Sequence, residues 1–244
     1  MKSTLIICAL PEELAAVEAV LNTKFETQVM SQQLGFSVRK FNKENNVFYT
    51  LLSGMGPINA SARLTLALHH LQIDDVLLLG VAGGLTEKTS IGDLVISTAV
   101  YQHDYYSSLE AGDFRMRSGE LILSQEQGHT HDPLICADQH LIERCFKTEI
   151  GNHQILKGIV ASGSEFVGRG QRKTEIAKLY DGLLAVDMEA CAVANICLQF
   201  KKPFVVAKTI SDTLHTDGTI ESDFLKFLKF ASENAAEVVK QFTV

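Results

Sequence analysis

Seven stretches of strand length, residues 4–10, 46–53, 75–81, 93–97, 154–162, 183–186 and 204–211, are rich in Val, Ile and Leu and run almost without polar interruption. A strand with one wet face alternates apolar and polar positions, so unbroken runs predict strands covered on both faces. Between several of these runs the period changes to that of a helix, most clearly over residues 57–71, 137–148, 188–200 and 222–242. In the last of these, Phe224, Leu228, Ala231, Ala235, Val238 and Phe242 recur every three or four positions and form one apolar stripe. Pro57 follows Gly54-Met55-Gly56 where a helix should begin, and its fixed φ suits a first helical turn. Strands alternating with helices predict an α/β fold, a mixed and mostly parallel twisted sheet flanked by helices on both sides.

Residues 85–92 read as a turn-rich link between two strands. Residues 107–133 lack clear periodicity, and a loop of that length inside a compact domain is usually functional. Short runs at 114–117 and 120–123 within it are spaced to pair as a hairpin. No repeat, low-complexity tract or second boundary interrupts the chain, so residues 1–244 are expected to form a single domain.

Composition narrows the partners. With 46% apolar residues the chain can build a core without metal or disulfide. Its 22 Lys and Arg against 29 Asp and Glu leave a net charge of −7, and no basic cluster offers a phosphate backbone a landing place. A small-molecule partner is expected, with no nucleic acid. Cys8, Cys136, Cys145, Cys191 and Cys197 are odd in number and form no CxxC pair, which suits reduced thiols in the cytoplasm. The N-terminal apolar run is short and meets Glu12 and Glu13 at once, so it reads as a first strand rather than a leader. No apolar stretch is long enough for a bilayer crossing, and no membrane partner is expected.

In open α/β sheets ligands gather beyond the carboxyl ends of the strands. Four such ends carry polar or glycine-rich residues: Glu12-Glu13, Gly80-Val81-Ala82-Gly83-Gly84, Asp187-Met188-Glu189 and Ser211-Asp212. Each also has a plain structural reading. Glu12 and Glu13 suit a first helical turn, Asp187 or Glu189 suits a helix cap, Asp212 suits the start of a turn, and the glycines suit a tight strand exit. Three carboxylates at three strand ends that a parallel sheet draws together make an active site the competing explanation.

These same residues carry a resemblance. ALPEEL with Glu13, SGMGPINA, GVAGGL followed by GDLVIS, YQHDYY, VASGSEF, AVDMEA and TISD occur in the order found in the nucleoside phosphorylase and nucleosidase superfamily, from residue 3 to about residue 240. Within it the chain is similar to the 5'-methylthioadenosine/S-adenosylhomocysteine nucleosidases of methionine salvage. The resemblance implies hydrolysis of the N-ribosidic bond of an adenine nucleoside modified at its 5' carbon, with no cofactor and no metal. Cleaving that bond builds cationic character on the sugar and negative charge on the leaving base. By resemblance Asp212 donates a proton or strong hydrogen bond at purine N7, Glu189 binds the ribose hydroxyls, and Glu13 activates water, with Glu12 its solvent-facing neighbour. Met188 packs on the sugar, Phe166 stacks on adenine, Val167 contacts the base, Ser211 supports Asp212, and Gly83 joins the substrate site. His103 and Asp104 match a pair near the mouth, taken as structural. His69, His70, His129 and His131 are given no role.

The phosphorylases of the superfamily hold phosphate with an arginine and a hydroxyl residue at positions that here are Leu78 and Val81. Neither binds an anion, which favours water as nucleophile. Val81 also departs from the serine usual in the nucleosidases, and Lys208 stands where arginine is more usual. Leu10, Met55, Tyr105 and Tyr106 are the expected wall of the 5' pocket, with Ser107 and Ser108 nearby. A futalosine-type nucleoside hydrolase and a purine nucleoside phosphorylase are the alternatives, as is a binding module that kept the fold. The resemblance implies a homodimer whose second subunit closes the 5' pocket.

Overall fold

The computed structural model describes residues 2–32, 35–124, 131–214 and 219–243, and one large mixed sheet runs through them. Its central strands are those the apolar runs predict: β1 (Ser3–Cys8), β4 (Asn46–Leu52), β5 (Asp75–Gly84), β6 (Leu94–Gln102), β10 (Ile155–Ser162), β11 (Leu183–Asp187) and β12 (Phe204–Asp212). Every residue of β5 and β12 is buried, as continuous apolar composition requires.

The two faces of the sheet separate by odd and even positions. Leu5, Ile7, Val76, Leu78 and Val206 pack into one core with α2 (Pro57–His70) and α5 (Ala190–Gln199). Ile6, Cys8, Leu77, Leu79, Val205 and Ala207 pack into the other with α1 (Pro11–Leu21) and α3 (Gln139–Cys145). Each fully buried Leu or Ile contributes roughly 1.5–3 kcal/mol by leaving water. The last helix, α6 (Ile220–Ala236), closes this second face and tightens into a 3-10 turn over Glu237–Phe242.

Several elements differ from expectation. β2 (Glu26–Ser31) and β3 (Phe36–Lys43) extend the sheet at one edge, where exposed polar positions interrupt the apolar signal. The helix expected from 137 begins after Asp138, whose carboxylate accepts from the Leu141 amide at 3.0 Å and fixes the start. In the segment 107–133 the hairpin is one turn earlier than its sequence suggests: β7 (Tyr106–Leu109) pairs with β8 (Gly112–Arg115). A short β9 (Leu134–Cys136) then joins β6, and residues 125–130, with His129, lie outside the described residues. α4 (Gly170–Ala177) was also not expected.

The pairing that places the site is the shortest. β5 runs parallel to β12 and then carries its last residues across to β11, where Gly83 and Gly84 face Val186 and Ala185. Since β11 pairs β10, β10 pairs β6, and β6 pairs β12, these strands close into a ring. The glycine-rich stretch is therefore strand, and the ring brings the ends of β5, β11 and β12 to one place beside the end of β1. Among the described residues no helix is long and apolar enough to cross a membrane.

Candidate active site

A cleft opens where these strand ends meet. Its polar lining includes Glu13, Glu189, Asp212 and Ser211, and its apolar lining includes Leu10, Met55, Val167 and Met188. Phe166 and Gly83 reach the same cleft.

Glu13 lies in the first turn of α1 and is buried. Its Oε2 accepts from the amides of Ala9 and Leu10 at 2.8 and 2.9 Å, and its Oε1 accepts from the Val81 amide at 2.8 Å. The Leu10 contact is a helix-capping bond, so the structural reading of this residue is true alongside any chemical one. Three amides thus converge on one carboxylate and fix its orientation. They also leave Oε1, with one donor rather than two, the oxygen able to accept another. The carboxylate fits here because residue 80 has no side chain: a Cβ on Gly80 would lie 2.2 Å from Oε1. Glu12, beside it, is exposed.

Asp187 and Glu189 divide the roles that the sequence left open. Asp187 caps α5 by accepting from the Ala190 amide at 3.1 Å. Glu189 makes no side-chain cap; its Oε1 reaches the Gly56 amide at 2.8 Å, at the head of α2. Beneath both lies Lys208, fully buried, its Nζ 3.1 Å from Asp187 and 3.6 Å from Glu189. Burial pushes the Glu189 carboxyl up, against the pull of Lys208, to about 7. Burial works against the charge on Lys208, but Asp187, Glu189 and Glu13 outweigh it and hold the ammonium above its usual range.

Asp212 ends β12. Its Oδ2 accepts from Ser211 Oγ at 2.7 Å, and its Oδ1 pairs with the ammonium of Lys173 from α4. Phe166 is half exposed at the mouth and meets Phe224 of α6 edge to face, with ring centroids 5.3 Å apart. Phe224 reads in the sequence as one more member of the α6 stripe, yet it lines the cleft. The loop beneath Phe166 is tied down by Asp104, which accepts from the Ser164 amide at 2.6 Å and from Gln102 at 3.0 Å. Burial would raise the Asp104 carboxyl, but these bonds and His103 hold it below its usual range. A Cβ on Gly163 would meet the buried His103 ring at 2.4 Å. Among the described residues no group of His, Cys, Asp or Glu is arranged to hold a metal ion.

Two expectations fail on position. Tyr105 does not line the cleft; its hydroxyl donates to the Glu120 carbonyl at 3.0 Å, because β6 carries the chain away toward the β7–β8 hairpin before Tyr105 is reached. Tyr106, Ser107 and Ser108 belong to that hairpin and are likewise absent from the lining. Leu78 is a core residue, leaving Val81 as the sole one of the two phosphate positions that faces the cleft. Lys173 carried no signal, because α4 was not expected and its burial depends on where that helix docks.

Residues 3–243 match the family model of the phosphorylase superfamily. The chain belongs to this superfamily. Among its relatives, the 5'-methylthioadenosine/S-adenosylhomocysteine nucleosidase of Staphylococcus epidermidis is 32% identical over 235 residues, 96% of each chain. The nucleosidase of the same name from Bacillus cytotoxicus is 31% identical over 218 residues, 89% of each chain. Among solved structures, that of the Helicobacter pylori nucleosidase with butyl-thio-DADMe-Immucillin-A is similar with a TM-score of 0.82 at 26% identity, covering 98% of this chain and 97% of that one. The phosphorylase-superfamily fold thus extends over the chain's whole described length, cleft included.

Proposed function

We infer that the protein hydrolyses the N-ribosidic bond of adenine nucleosides modified at the 5' carbon, with 5'-methylthioadenosine and S-adenosylhomocysteine as substrates and adenine as a product. The observation that carries this reading is the convergence of three carboxylates on one cleft, each held by a different set of partners. The names of the relatives, nucleosidases for both of these substrates, support it.

Asp212 acts at the leaving base, where a proton on N7 relieves the negative charge that bond breaking builds. Glu189 accepts the ribose hydroxyls and sets negative charge beside the developing oxocarbenium ion. Glu13 takes a proton from the attacking water through Oε1, the oxygen with an open acceptor position. Phe166, edge to face with Phe224, offers an aromatic wall to the purine, and Val167 lies beside it. Leu10, Met55, Met188 and Phe224 give the cleft an apolar side suited to a thioether.

Water is the nucleophile in this reading, because Val81 brings an isopropyl group where an anion would need a donor. Release of adenine from methylthioadenosine at a rate independent of added phosphate is the expected result. Formation of a pentose 1-phosphate would instead make the enzyme a phosphorylase.

Met55 and Ile58 are exposed beside the cleft, 60% and 83% respectively, and apolar surface at that place supports a homodimer. Five free cysteines, four of them buried, suit a reducing cytoplasmic setting.

A further inference from the structure

The hydrolytic reading gives no role to the charged partner of Asp212. Lys173 is fully buried, and among the described side chains its ammonium pairs with that of Asp212, with the carbonyls of Asp212 and Thr213 at 3.3 and 3.4 Å. A buried ammonium is costly to desolvate and persists where it is paired. Space is reserved for the pair as well. A Cβ on Gly83 would come within 2.9 Å of Lys173 Nζ and 3.0 Å of Asp212 Oδ1.

We propose that Lys173 is the positioning residue that orients Asp212 and supplies the proton Asp212 passes to the departing base. Lys173 Nζ donates to Asp212 Oδ1, so the pair holds one transferable proton directly against the carboxylate.

The step balances. As the C1'–N9 bond breaks, its electron pair goes to the purine. A proton moves from Nζ to the Asp212 carboxylate and from that carboxyl to N7, leaving a neutral amine and a carboxylate. The attacking water forms its bond to C1' and gives a proton to Glu13. Proton exchange with solvent then discharges Glu13 and recharges Lys173. Ser211 Oγ holds Oδ2 throughout, so the carboxyl keeps one orientation.

Among the described residues, the other titratable or charged groups at the cleft are Glu13 from α1, Glu165 before α4, Asp187 and Glu189 at the end of β11, and Lys208 of β12. Lys208 is committed to Asp187 and Glu189. Arg172, the neighbour of Lys173, is bound to Glu165 at 2.6 Å.

This inference rests on the proposed hydrolysis, and one experiment separates the two. Adenine release from methylthioadenosine is followed from pH 5 to 10 for the wild type, Lys173→Met and Lys173→Arg, with adenine affinity and the melting temperature of each. Lys173→Met removes the proton source, so kcat should fall at least about tenfold relative to the wild type at pH 8, the deficit narrowing toward pH 5 as solvent protons become available. Lys173→Arg keeps the charge but cannot release a proton in this range, so it should be slow at every pH while still binding adenine. A wild-type pH profile and kcat in Lys173→Arg would show that charge alone suffices and overturn proton supply. A wild-type profile in Lys173→Met would remove Lys173 altogether. If Lys173→Met does not fold, the arginine variant still decides. Absence of adenine release from the wild type would overturn the hydrolytic reading instead.

Discussion

Replacing Glu13 by Gln tests the architecture and the chemistry of the site together. The carboxylate accepts from three amides, those of Ala9, Leu10 and Val81, and is only 3% exposed. Glutamine offers one carbonyl oxygen. If that oxygen keeps Ala9 and Leu10, its NH2 group faces the Val81 N–H, donor against donor. One charged hydrogen bond is lost, at about 1.5–3 kcal/mol, and two more become neutral. A total near 3 kcal/mol lowers the melting temperature by roughly 6–12 °C in a chain of this size. Loss of the base should independently reduce kcat at least about a hundredfold, with adenine affinity little changed. Thermal melts and steady-state adenine release read the two effects separately. Glu12→Gln, an exposed change one residue away, should move neither. A melting temperature equal to that of the wild type would refute the amide cradle, and an undiminished kcat would take Glu13 out of the mechanism. If Glu12 proved essential instead, the first turn of α1 would be oriented differently from the structure described.

Gly80→Ala places a methyl group 2.2 Å from Glu13 Oε1, and it should cost at least about tenfold in kcat while circular dichroism stays that of the folded protein; full activity would mean the carboxylate can move without consequence. Asp212→Asn should abolish most turnover yet leave adenine binding measurable by calorimetry, and unchanged turnover would exclude Asp212 as the acid. The raised Glu189 carboxyl, driven up by burial to about 7, contributes stability that is fully present below its ordinary pKa of 4.5 and lost as pH rises through about 7. Glu189→Gln, uncharged throughout, should therefore flatten the decline in unfolding free energy between about pH 5 and 8; an identical slope in both proteins would contradict this.

What the sequence settles is local in origin. Unbroken apolar runs can only be strands covered on both faces, which is why β1, β4, β5, β6, β10, β11 and β12 are legible while the polar edge strands β2 and β3 are not. The carboxylates at the ends of β1, β11 and β12 are visible for the same reason: a charged residue directly after a buried run has to lie at a sheet margin. Their meaning is not visible, since Asp187 and Glu189 are equally plausible caps two residues apart. Only the fold decides, by giving the Ala190 amide to Asp187 and sending Glu189 across to Gly56. The same holds for Lys173 and Phe224. Phe224 belongs to a helix whose periodicity describes which residues share a face but not what that face meets, and Lys173 to a helix the periodicity does not announce. Closure of β5 onto β11 sets that environment, through contacts between residues about a hundred positions apart. It turns a lysine of an unannounced helix into the buried partner of Asp212, and a phenylalanine of the α6 stripe into a wall of the cleft.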